Sequence, residues 1–175
     1  MQKAVRDGCD AVEVDCLDIH ERRSDYTKND AKIFAKWVAE TAQQVGISVG
    51  LKNLATLAPE LEPYFDFAVV ESCAEYVDIC KYFKVFTAHN KAVFTIHYND
   101  RKHNFSRYGS PEKTLSKELG GYGFTCAYTP YQNIEDRSTN FDCSKGNYWD
   151  GNYFYLFIYL FILNIKKKYK VSISL

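Results

Sequence analysis

No excess of charge marks this chain: 22 Lys and Arg residues stand against 22 Asp and Glu. It therefore has no overall basic field to draw in nucleic acid. The one basic run, Lys166-Lys167-Lys168 with Lys170, sits in a tail unlike the rest of the sequence. Six cysteines occur, at 9, 16, 73, 80, 126 and 143, but none has a partner at CxxC spacing. That excludes the usual zinc-ribbon and thioredoxin patterns. His20, His89, His97 and His103 share no metal-ligand spacing either. A serine nucleophile elbow, a P-loop and a dinucleotide glycine fingerprint are all missing. No cofactor or metal is expected. Residues 1–7 hold no apolar core of a secretory signal.

What is present suits a globular domain. The hydrophobic fraction is 46% over 175 residues, enough for one real core and too short a chain for two. Fourteen tyrosines and twelve phenylalanines are many for this length. Ordinary packing accounts for most of them; the functional alternative is a cleft whose flat aromatic faces stack on sugar rings. Cys73 and Cys80 flank the turn into an expected helix and form a candidate disulfide, which would imply an oxidising compartment.

Five short apolar runs read as strands, at residues 11–15, 47–52, 67–71, 92–98 and 124–128. Most are near-continuous rather than alternating, as strands buried on both faces are. Helical stretches separate them, so the pattern indicates a parallel α/β sheet. Thr27 with Asp30 resembles a capping box. Beyond it Ile33, Phe34, Trp37, Val38, Ala42 and Val45 follow the helical period, and Gly46 is placed to end the helix. A second helix at 55–64 is interrupted by Pro59 and Pro63. A third is expected at 76–87 and a weaker one from Pro111.

Two of the strands end on acids. The segment Gly8-Cys9-Asp10-Ala11-Val12-Glu13-Val14-Asp15 closes on Asp15, with Asp18 just beyond, and Asp66-Phe67-Ala68-Val69-Val70-Glu71 closes on Glu71. In parallel α/β folds the carboxyl ends of neighbouring strands share one rim, where active sites form. Two carboxylates on that rim are the minimal equipment for hydrolysing a glycosidic bond. Glu13 and Asp15 point to the same face of a strand. Glu71, at the end of an apolar run, is expected to be partly desolvated, as a general acid needs. Lys52 and Asn53 lie on the strand between, where the lysine serves either to orient a carboxylate or sugar hydroxyl, or simply as an ion-pair partner. His97 with Tyr98 ends the next strand and is placed to line the cleft.

These segments, in this order, resemble glycoside hydrolase family 114, the endo-α-1,4-polygalactosaminidases. Gly8 to Asp15 with Asp18, Val49-Gly50-Leu51-Lys52-Asn53, Asp66 to Cys73, and Ala92-Val93-Phe94 with Tyr98 each match a family segment. The resemblance implies a (β/α)8 TIM-type barrel, here an incomplete one of about five βα units truncated at its N-terminal side. It implies a secreted enzyme acting on galactosamine-containing exopolysaccharide. It also implies Asp15 as nucleophile and Glu71 as acid/base of a retaining mechanism, with Glu13, Asp18, Lys52, Asn53, His97 and Tyr98 toward substrate. The chain departs from the family pattern at Cys16, Ile19-His20, Val70 and His97.

The resulting domain plan is a partial barrel over residues 1–131, an irregular polar segment over 132–152, and an apolar tail with a basic end over 153–175. The tail's run at 153–165 is shorter than the roughly 20 residues that span a bilayer. It reads as a foreign gene end, a buried terminal element or a membrane anchor. Two competing readings stand beside the glycosidase: a catalytically inactive carbohydrate-binding remnant, and a membrane-tethered surface protein. Oligomeric state is not legible.

Overall fold

A computed structural model describes residues 1–98, 106–129, 139–142 and 147–148 of the 175. A short α1 (Gln2–Arg6) leads into β1 (Ala11–Glu13). Then follow α2 (Lys28–Gln44), β2 (Ser48–Lys52), α3 (Ala58–Leu61) and β3 (Phe67–Glu71). The chain continues through α4 (Lys84–Ala88), β4 (Val93–Tyr98), α5 (Pro111–Leu119) and β5 (Thr125–Thr129). Two short strands, β6 (Thr139–Asp142) and β7 (Asn147–Tyr148), come from the polar segment after it. The segments at 99–105 and 153–175, including the apolar run at 153–165, lie outside the described residues. Among the described residues no helix is long and apolar enough to cross a membrane.

The sheet order is β1-β2-β3-β4-β5-β6-β7, with the first five strands parallel and the last two added antiparallel. Strands that follow one another in both sequence and space, with a helical connection each time, wind in one direction only. All the crossovers then fall on one face. The main core confirms this: Val49, Leu51, Ala68, Val70, Val93 and Cys126 pack with Val38, Ala42, Leu61, Phe86, Leu115 and Leu119 of the helices. Alternate strand residues, Ala11, Phe67 and Val69 with Phe94 and Ile96, form a separate cluster on the opposite face. One-way winding is the barrel arrangement, here incomplete, and not the doubly wound sheet.

Helix α2 carries the capping box its sequence announces. Thr27 Oγ1 accepts from the Asp30 amide at 3.1 Å, and the Asp30 carboxylate accepts from the Thr27 amide at 2.8 Å. Gly46, with φ +72°, takes the chain out of the helix. The buried stripe, however, is Ala31, Ala35, Val38, Ala39 and Ala42, whereas Ile33, Phe34 and Trp37 are exposed. Small residues let the helix lie close on the sheet; the bulky trio follows the same period on the neighbouring, outward stripe, with Phe34 and Trp37 stacked at 5.7 Å.

Two prolines break the second helical region as their chemistry requires. It becomes the 3-10 turn Ala55–Leu57, α3, and the 3-10 turn Glu62–Tyr64, with a proline at the start of each of the last two. The helix expected at 76–87 begins later. Residues 76–79 form a turn, and helical structure starts at Cys80–Phe83 and continues as α4. A Cys73–Cys80 disulfide closes this segment, and Asp78 adopts φ +64° within it. A residue with positive φ cannot continue a right-handed helix.

Gly50 shows how closely the strands pack. A Cβ at this position would overlap the ring of Phe67 on the adjacent strand. That ring is held in turn by an edge contact to Phe94 at 6.1 Å. Gly50→Ala is expected to lower stability by about 1–3 kcal/mol through overpacking. Urea denaturation reads the loss, and Phe67→Leu in the same chain should restore part of it. An unchanged midpoint for Gly50→Ala would show that the ring is free to move.

Candidate active site at the carboxyl rim

The side chains that converge at the strand ends do so because of strand alternation. Glu13 on β1, Lys52 on β2, Glu71 on β3 and Tyr98 on β4 all sit on the face away from the helices, near the carboxyl ends. Lys52 is their centre. Its Nζ lies 3.1 Å from Glu13 Oε1, 3.3 Å from Asp15 Oδ1 and 3.5 Å from Glu71 Oε2. The lysine side chain is only 2% exposed, so its charge is compensated by these carboxylates rather than by bulk water.

Glu71 is fixed on three sides. Its second oxygen, Oε1, accepts from the Tyr98 hydroxyl at 2.8 Å, and Tyr98 is fully buried. Its backbone amide donates to Asn53 Oδ1 at 3.0 Å, while the Asn53 amide donates to the Val69 carbonyl at 3.0 Å. Asn53 thus ties the end of β2 to the end of β3. The chain passes through left-handed residues after Asp15, Lys52 and Glu71: Cys16 at φ 62°, Asn53 and Leu54 at 54° and 61°, and Ser72 at 54°. None of these is glycine, and such conformations cost on the order of 1–3 kcal/mol each; they concentrate at functional sites.

Charge in the cluster is unevenly held. Burial pushes the Glu13 carboxyl above its ordinary value; Lys52 opposes this without overcoming it, and Glu71 and Asp15 reinforce it. At Asp15 burial again resists ionisation. Here Lys52, the Cys16 amide and the Cys16 thiol outweigh it and hold the carboxyl below the usual aspartate range. Burial would lower the Lys52 ammonium, but the three carboxylates outweigh it and hold its pKa above that of an ordinary lysine. The rim therefore combines an ionised, half-exposed Asp15 with a Glu13 that takes up a proton readily.

The other sequence candidates separate. Asp18 is 8% exposed, lies 3.8 Å from Arg22 and lines a cavity of about 650 Å³ together with Glu21, Asn53, Glu71, Glu75 and Tyr76. His97 does not line the cleft. Strand alternation turns it toward the helices, where it is fully buried and its Nε2 accepts from the Ala74 amide at 3.2 Å. Burial drives its pKa down to about 3, so it stays neutral. Cys73, Cys80 and His97 place donor atoms within 4.8 Å of one another, a metal-like grouping, but the disulfide consumes both thiols. Cys16, by contrast, is an exposed free thiol 3.8 Å from Asp15 Oδ2. Sequence reasoning missed Glu75, Arg107 and Glu118, which hold the loop after β3. Their signal was weak, since Arg107 and Glu118 sit far along the chain from the strand they serve.

Paired acids on the carboxyl rim of a one-way-wound parallel sheet, joined through one lysine, define a glycosidase-like α/β protein. The comparisons narrow this class. The chain belongs to glycoside-hydrolase family GH114, whose family model matches residues 1–130. Among solved structures it is similar to Ega3 of Aspergillus fumigatus, crystallised in complex with galactosamine, at 28% identity and a TM-score of 0.61. That match covers 73% of this chain and 53% of the other, so the chain spans about half the length of that structure. No curated protein matches the chain.

Lys52→Met removes the cation that Glu13, Asp15 and Glu71 face. The sign follows from the shifts. A lysine with a raised pKa contributes stability that is complete below 10.5 and lost only as pH rises beyond it. Asp15, with a lowered pKa, contributes stability above 3.8 that is lost as pH falls through its lowered value. The variant is therefore expected to lose about 3–5 kcal/mol at pH 7, where unpaired buried charge remains. The loss should be smaller at pH 4, where Glu13 is protonated. Urea unfolding at the two pH values measures this, and equal losses would assign Lys52 a packing role.

Proposed function

We propose that the chain is a glycosidase acting on α-1,4-linked galactosamine polymer, with Asp15 as nucleophile and Glu71 as general acid/base. The observation that carries this reading is the shared lysine. Because Lys52 Nζ lies within 3.5 Å of both acids, their nearest oxygens stand no more than about 7 Å apart. An inverting pair needs about 6.5–9.5 Å to admit a water, and a retaining pair about 5–5.5 Å. That bound admits the retaining spacing.

In the first step Asp15, kept ionised beside Lys52, attacks the anomeric carbon while Glu71 protonates the departing glycosidic oxygen. In the second, Glu71 as base takes a proton from water, which attacks the same carbon and releases Asp15. Tyr98 and Asn53 hold Glu71 through both steps as positioning residues. Lys52 tempers the repulsion between the two acids and orients them together. Family membership and the galactosamine held by Ega3 support the choice of an amino sugar. A protonated amino sugar also suits the carboxylates of the rim and cavity. The disulfide supports the view that the chain works in an oxidising, extracellular setting.

Activity on partly deacetylated α-1,4-galactosamine polymer is the test. Glu71→Gln is expected to reduce kcat by about 10²–10⁴-fold, and Asp15→Asn by at least as much. Proton NMR of the first-formed product should show the α anomer. Equal oligosaccharide release by wild type and both variants would overturn the assignment, and an initial β product would overturn retention.

A further inference from the structure

The loop between β3 and α4 is held far more firmly than a surface connection requires. The disulfide pins its two ends, with the Cα atoms of Cys73 and Cys80 5.1 Å apart. Arg107 donates to the Glu75 carbonyl at 2.7 Å and to the Ala74 carbonyl at 2.9 Å. The same guanidinium pairs with Glu118 at 2.8 Å, and the other oxygen of Glu118 accepts from the Asp78 amide at 3.1 Å. From behind, the His97 ring accepts from the Ala74 amide. Four separate anchors thus act on eight residues. Cys73, Ala74, Glu75 and Cys80 are all buried as a result.

What this base presents is apolar and exposed. Tyr76 and Val77 are 56% and 58% exposed at the crest of the loop. Both line the same cavity of about 650 Å³ that Glu71 lines. An aromatic carried on a firmly held backbone at the wall of a polar cleft leaves less loop freedom for binding to remove. Its flat face suits a sugar ring. A galacto-configured pyranose presents the C–H bonds of C3, C4 and C5 on one ring face, because its axial C4 oxygen projects to the other side. When that sugar carries an ammonium, the electron-rich face of a tyrosine attracts the charge as well.

We infer that Tyr76 is the stacking platform that positions a galactosamine ring of the substrate beside Glu71, with the disulfide-closed loop as its rigid mount. This rests on the function proposed above and deepens it by naming the residue that selects the sugar. Tyr76 moves no proton. It is a substrate-positioning residue, and the face of its ring matters rather than its hydroxyl.

Calorimetric titration of an α-1,4-galactosamine oligosaccharide into the full chain bearing Glu71→Gln tests the inference without turnover. Adding Tyr76→Ala is expected to weaken binding roughly tenfold, while adding Tyr76→Phe changes it by less than about twofold, since the ring remains. In the active chain the alanine variant should raise KM with little change in kcat. Unchanged affinity on Tyr76→Ala, with the parent still binding, overturns the platform alone. Failure of the Glu71→Gln parent to bind the oligosaccharide overturns the proposed substrate, and the platform with it.

Discussion

The arrangement depends on one buried ammonium. Lys52 meets three carboxylates from two chain segments that are distant from it in sequence, so it ties β1, β2 and β3 together. Withdrawing such a charge from water costs several kcal/mol unless its partners are close and well placed. The strand register supplies that placement. Glu13 stands opposite Gly50, and Lys52 stands opposite Val69, so the lysine at the end of the middle strand reaches acids on either side. Gly50 has a second part in this. Without a side chain it admits the Phe67 ring below the cluster, which closes the apolar layer on which the charged layer rests.

A consequence is that the two acids assigned to chemistry are not independent. Three carboxylates face Lys52, and at Glu13 burial resists ionisation while its acidic neighbours add to the effect. That leaves Asp15 ionised at the more open edge and leaves Glu71 held between Lys52 and Tyr98. One fold thereby distinguishes acids of nearly identical intrinsic chemistry by position alone. The left-handed residues at the strand ends belong to the same design. They turn the chain directly after Asp15, Lys52 and Glu71.

Much of this was legible because strands and rims follow simple periodicities. The five parallel strands appeared as apolar runs, but the first stops at Glu13, so Asp15 approaches Lys52 from the bend beyond β1 and not from the strand period. The two roles weighed for Lys52, ion-pair partner and orienter of carboxylates, turn out to be compatible. Where the reading failed, a long-range contact had overridden a local pattern. Ile33, Phe34 and Trp37 have helical spacing, but the sheet accepts only the alanine stripe beside them. His97 ends a strand next to Tyr98, and alternation sends it to the opposite face, behind the loop that carries Tyr76. The segment at 76–79 has helical composition, yet a disulfide and the Glu118 carboxylate hold it as a turn. No local sequence signal announces partners forty residues away.

The central claim is that Lys52 is a buried cation shared by Glu13, Asp15 and Glu71, and nitrogen-detected NMR of the lysine side chains tests it most directly. Across a titration through pH 10.5, the Lys52 Nζ signal is predicted to stay that of an ammonium while the exposed lysines deprotonate. The signal should respond instead at low pH, when its carboxylate neighbours take up protons. A Lys52 signal that titrates together with the exposed lysines would contradict the account.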